Sequence, residues 1–284
     1  MLDTKKIKEI DNFILNIHPI SDSASKILEI SKKKGAGAME FYDIIKYDPV
    51  LTGKILKFIN SSYYSLPNPI LSLVRAIIML GINTVKNMVL SYNIIDIISN
   101  NGKQEKNSKL FLEHSVCVGT LAKAFFLEKE PDSEKSEEYF IAGLLHDIGK
   151  FPLFSILSDE YNKFYEKSLE QNISMIKIET EEFGFNHTDI GEKILNMWEL
   201  GPSLANVIKY HHNIFEIPKT DGQFTAIICL ADMVLNRLNM GFYSNLYTDE
   251  EFEQILLLSE ISYDLFIKIE NNSKEIIKKS NIFL

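Results

Sequence analysis

Five of the six histidines, His114, His146, His187, His211 and His212, lie beyond residue 100 of a 284-residue chain, with two acids in very apolar company. Asp147 follows His146 at the end of Ile141-Ala142-Gly143-Leu144-Leu145, and Asp232 sits between Ala226–Ala231 and Met233-Val234-Leu235. A carboxylate buried alone is costly, and a divalent cation removes that cost. Imidazole nitrogens with carboxylate oxygens form a donor set suited to Zn, Fe, Mn or Ni. The His146–Asp147 pair taken alone reads equally well as a self-satisfied pair at a helix C-terminus. Adjacent helical residues point about 100° apart, so one of His211 and His212 can merely cap or face solvent. Lys150 reads as an exposed lysine at a helix end. Cys117 and Cys229 stand three residues from His114 and Asp232; each can face the site, although buried thiols in apolar surroundings are commoner. Glu179, Glu181 and Glu182 read as a solvated helix face, and His18, before Pro19, as structural.

The elements that position these groups are helical. Ser136 is expected to cap the helix carrying His146–Asp147, Glu137 and Glu138 suit its positive end, and Gly149 offers a left-handed stop. Ahead of it, apolar spacing predicts helices over 3–17, 22–33, 40–47, 50–59, 71–80 and 83–99, the fourth capped by Asp48 with Pro49 behind it. The polar stretch 100–107 is the best linker, which divides the chain into lobes 1–100 and 101–284. In the second lobe Ser108 is expected to cap a helix to about Lys129. Further helices are expected near 159–171, 174–183, 187–198, 202–212 and 223–240, then a penultimate helix that Thr248 and Glu251 would open at capping-box spacing, and a last one near 262–280. No segment alternates as a strand does, so the expected fold is all-α: a two-lobed helical protein with its chemistry in a C-terminal bundle.

A net charge of −9 lacks the basic footprint of a phosphate-backbone binder, so direct nucleic-acid binding is not expected. Two cysteines without metal spacing suit a reducing compartment. No signal-peptide core follows Met1, and no apolar run is read as approaching the roughly 18 residues of a membrane span. A cytoplasmic protein with no membrane partner is the expectation.

A lone histidine, a His-Asp pair and a distant aspartate, all on helices, resemble the HD superfamily of metal-dependent phosphohydrolases. More specifically the chain resembles the HDOD (HD-related output domain) family. In the first lobe the resemblance rests on Tyr47-Asp48-Pro49-Val50-Leu51-Thr52, Ile59-Asn60-Ser61-Ser62-Tyr63-Tyr64 and Arg75–Gly81. In the second it rests on Glu113-His114-Ser115, Gly143–Lys150, Gly184–Gly191 and Trp198-Glu199-Leu200 leading to His211-His212. The resemblance implies that His114, His146, Asp147 and Asp232 hold a first metal. It implies that Asp147 bridges to a second held by His187, His211 and His212, and that Lys150 steadies a phosphate oxygen. One or two divalent ions (Fe, Mn, Ni or Zn) are therefore the expected cofactors, with Asp147 and Lys150 in catalytic roles if a reaction occurs. The related HD-GYP phosphodiesterases carry a Gly-Tyr-Pro element, whereas this chain reads Asn213-Ile214-Phe215-Glu216-Ile217-Pro218. That departure removes the direct argument for cyclic-di-GMP hydrolysis. Three readings stay open: a bacterial signalling module with a nucleotide ligand and a protein partner on the first lobe; an active phosphohydrolase or phosphodiesterase; and a scaffold whose polar cluster is a relic.

Overall fold

Helical periodicity becomes helix along the whole chain in a computed structural model. It describes residues 4–279 apart from 18–20, 34, 62–65, 102–104, 132, 134, 158 and 241–246. Most of the described residues are helical, and no strand occurs among them. The first lobe contains α1 (Thr4–Asn16), α2 (Asp22–Ser31), α3 (Ala38–Ile45), α4 (Pro49–Ile59), α5 (Leu73–Leu80) and α6 (Ile82–Asn101). Local chemistry sets its boundaries: Ser21, Asp48 and Ser72 accept from the backbone N–H groups of Ala24, Leu51 and Arg75.

The second lobe contains α7 (Glu105–Lys129), α8 (Ser136–Leu145), α9 (Lys150–Leu157), α10 (Asp159–Gln171), α11 (Met175–Phe183), α12 (His187–Met197), α13 (Pro202–Tyr210), α14 (Gly222–Arg237), α15 (Asp249–Ser259) and α16 (Tyr263–Lys279). At its centre α7 and α8 cross with backbones nearly touching. A Cβ added to Gly143 would lie 2.5 Å from the Gly119 Cα, so only glycine permits this approach. α14 packs across both, and α16 covers α7. The lobes are also packed together: α1 lies on α9 with Phe13 against Phe151, and α6 contacts α7 and α8.

Several expectations are corrected. Ser136 is the first helical residue and not the cap; Lys135 flanks it without a side-chain cap bond. α7 begins at Glu105, ahead of Ser108, because Glu, Lys and Asn sustain a helix well enough. A short helix, α9, follows the His-Asp turn where none was expected; its apolar residues are buried on nearly every side and so carry no amphipathic period. Gly149 is not a left-handed stop. A Cβ there would fall 1.8 Å from the His187 carbonyl oxygen, so the glycine lets the α8–α9 turn pass against the start of α12. Two stretches, Lys109–Lys129 and Ser136–Leu157, are long and apolar enough to cross a membrane by length and composition, contrary to the sequence reading. In this fold they are 67% and 94% buried by their own neighbours, and a turn at His146–Gly149 divides the second into α8 and α9. His18 lies outside the described residues.

Candidate metal centre

The site forms where helix ends and helix middles from five elements converge. His146 and Asp147 sit just past the end of α8, His187 starts α12, and His211 and His212 follow α13. His114 and Asp232 come from the interiors of α7 and α14. His114, His146, Asp147, His187, His211 and Asp232 are each 2% exposed or less; His212 is half-buried.

The side chains fall into two clusters that share Asp147. In the first, His114 Nε2 lies 3.3 Å from Asp232 Oδ1 and 3.8 Å from Asp147 Oδ2, and His146 Nε2 lies 3.3 Å from Asp147 Oδ2. In the second, Asp147 Oδ1 lies 3.3 Å from His187 Nε2 and 3.5 Å from His211 Nε2, and His212 Nε2 is 2.9 Å from His187 Nε2. Two donors each about 2.1 Å from one ion stand roughly 3 Å apart, which is the spacing found here.

The opposite ring nitrogens explain the orientation. Nδ1 of His146 donates to the Gly143 carbonyl at 2.8 Å, and Nδ1 of His211 to that of Ile208 at 2.7 Å. Nδ1 of His187 donates to Glu179 Oε2 at 2.6 Å, and Nδ1 of His114 faces the Met240 carbonyl at 3.4 Å. A carbonyl or carboxylate only accepts, so the proton sits on Nδ1 and the Nε2 lone pair points inward. Four inward atoms have no hydrogen-bond partner: His114 Nε2, His146 Nε2, Asp147 Oδ1 and His211 Nε2. Orphaned lone pairs at this density are costly and call for a cation.

The charge balance agrees. Burial opposes ionisation of Asp147, but the His146 imidazole and the Lys150 ammonium outweigh it and hold its carboxyl well below the usual carboxylate range. Asp232 is lowered too: burial works against its charge, and His114 more than offsets this. Burial and its imidazole neighbours push His211 down to about 4, which keeps it neutral and able to ligate. Burial works against a charge on His146, but Asp147 and Asp232 overcome it, raise its pKa and draw positive charge into the site.

Lys150 is neither exposed nor free to reach outward. It is 3% exposed, and its ammonium lies 2.6 Å from Asp147 Oδ2. Cys117 and Cys229 are buried free thiols, and Cys229 donates to the His211 carbonyl. Glu179 corrects the sequence reading outright: it is fully buried, accepting from Tyr161 as well as from His187. It was legible in principle, because Met175, Ile178, Glu179 and Phe183 follow i, i+3, i+4, i+8 spacing and the glutamate occupies a core position. Asn236 and Tyr247, which hold Asp232 Oδ2 at 3.1 and 3.3 Å, carried no such signal.

Histidines and aspartates delivered by helices in this order form two clusters that could each hold a metal ion. The HDOD domain model matches residues 17–214, and the chain belongs to that family. An HDOD domain protein of unknown function from Geobacter sulfurreducens shares the fold with a TM-score of 0.79 at 22% identity, covering 99% of this chain and 98% of its own. A provisionally named phosphohydrolase from Shewanella amazonensis SB2B superposes with a TM-score of 0.70 at 15% identity, over 99% and 98% of the two chains. An uncharacterized protein of Treponema pallidum (strain Nichols) is 24% identical over 243 residues, which are 84% of this chain. The chain spans about half the length of that curated relative, 46%.

Proposed function

We propose that this chain is a bacterial, cytoplasmic signalling module whose HD-type site holds one or two divalent ions (Fe, Mn, Ni or Zn), with output through binding rather than turnover. The observation that carries it is the set of four inward-facing donor atoms without a hydrogen-bond partner at the meeting of α7, α8 and α13. His114, His146, Asp147 and Asp232 would hold one ion; Asp147, His187, His211 and His212 would hold the other. When bound, such ions supply Lewis-acid polarisation. The protein's own part is to fix the imidazoles through their Nδ1 bonds, exclude water around the carboxylates and offset Asp147 with Lys150. Lys150 is already held by Asp147, which favours a regulatory centre over one in which that ammonium grips a transferred phosphate.

An active phosphohydrolase acting on a nucleotide or cyclic nucleotide is the second reading. It is favoured by the way Asp147 presents one oxygen to each cluster and by half-buried His212, on the more open edge of the site. A nucleotide would serve as ligand in the first reading and as substrate in the second.

A signalling partner would dock on the first lobe. Met39, Tyr47, Val50, Leu71, Ile78 and Met79 are large apolar side chains left 46–83% exposed there, and exposed apolar surface favours association.

Metal analysis of the purified chain tests the centre. Close to two equivalents are expected, falling to one or fewer in His146→Ala and to none in Asp147→Ala. Protein without metal, unchanged by His146→Ala, would end both readings. Turnover of cyclic dinucleotides or generic phosphodiesters, abolished by Asp147→Ala, would promote the second reading over the first.

A further inference from the structure

The two clusters differ in what stands behind their histidines. In the first, His114 and His146 lean on backbone carbonyls, which are neutral. In the second, His187 leans on a carboxylate. Glu179 Oε2 accepts from both the ring Nδ1 at 2.6 Å and the backbone N–H of His187 at 2.9 Å, while Glu179 Oε1 accepts from the Tyr161 hydroxyl at 2.5 Å. All three residues are 1% exposed or less. Glu179 therefore has both oxygens occupied and stands in one position, held by α10 on one side and by the start of α12 on the other.

We infer that Tyr161 and Glu179 form a positioning relay that selectively strengthens the cation site built on His187. The inference rests on the metal-binding reading of the site. A charged acceptor on Nδ1 fixes the ring tautomer and raises the electron density at Nε2 more than a carbonyl does. The backbone bond to the same carboxylate fixes the helix start, so ring and main chain are oriented together. His211 in this cluster leans on a carbonyl, so the charged acceptor is particular to His187. Glu179 touches none of the orphaned donor atoms and acts only through His187.

The relay predicts asymmetric metal loading. Full-length protein, stripped with a chelator, is titrated with Mn(II) and Co(II) by calorimetry, with stoichiometry checked by elemental analysis. Wild type is expected to take two ions. Glu179→Gln keeps the size and an acceptor oxygen but removes the charge; its weaker ion should bind about 10- to 100-fold less tightly, with the other changed by less than about threefold. Tyr161→Phe should weaken the same ion by a smaller factor. His114→Ala should show the reverse pattern, losing the ion that Glu179→Gln spares. Circular dichroism and melting report whether each variant folds, and Tyr161→Phe carries the test if Glu179→Gln does not. A folded Glu179→Gln with wild-type affinity at both sites, or with both ions weakened equally, overturns the relay and leaves the metal reading standing. Wild type that takes up no ion overturns the metal reading and the relay with it.

Discussion

At the scale of single residues, the site depends on compensation among buried groups. Asp147 and Lys150 form an ion pair with both side chains 3% exposed or less, and removing one partner of such a pair leaves the other charge stranded. Lys150→Ala is therefore expected to destabilise the metal-free protein by about 3 kcal/mol. Added Mn(II) should recover much of that loss, because a cation at Asp147 replaces the missing ammonium. Melting curves with and without metal check this; an equal loss in both would assign Lys150 to packing alone. The clustered histidines and aspartates could be read from the sequence because their polarity is out of place among apolar neighbours. Glu179 was not, because a glutamate followed by Glu181 and Glu182 looks like an exposed face until its phase on the helix is counted. Tyr161 was invisible for a different reason: a buried tyrosine is ordinary, and only its partner gives it a role.

At the scale of elements, the clustered side chains are placed by close helix crossings. His114 rides on α7 and the His146–Asp147 pair on the end of α8, so their separation depends on how nearly those helices approach at Gly119 and Gly143. Gly143→Ala would force the pair apart, at a cost of about 1–3 kcal/mol. It should weaken cation binding more than an alanine substitution on an exposed helix face does, as metal titration of the folded variant would show. Unchanged affinity would mean that the crossing serves packing only. Elsewhere the sequence marked helices by period and by caps such as Asp48 and Thr248, both of which accept from the third residue of the helix that follows. It did not mark α9. Buried on nearly all sides, that helix lacks the polar stripe by which a helix is recognised, and Gly149 beside it is there to let two backbones pass.

At the scale of the whole molecule, the division at residue 100 describes the sequence better than it describes the packing. α1 reaches across to α9, and α6 lies on α7 and α8. One cooperative unfolding transition is therefore expected in urea, with circular dichroism and tryptophan fluorescence at Trp198 superimposing. Two separated transitions would restore independent lobes. The same packing makes deletion of residues 1–100 a poor probe of docking, since it would uncover core. Surface substitutions are cleaner: Leu71→Ser with Ile78→Ser removes side chains 83% and 65% exposed and should leave stability nearly unchanged.

The order in which the donors appear along the chain also sets a timetable. His114 leaves the ribosome first and Asp232 last, so a nascent chain carries an incomplete ion cage until α14 has emerged. Because the donors come from helices so far apart in sequence, an ion held by them would act as a late fastener, closing the bundle after its parts exist. Refolding in a chelator should thus reach a loosely closed body that tightens when metal is supplied, and metal added after folding should become slow to withdraw.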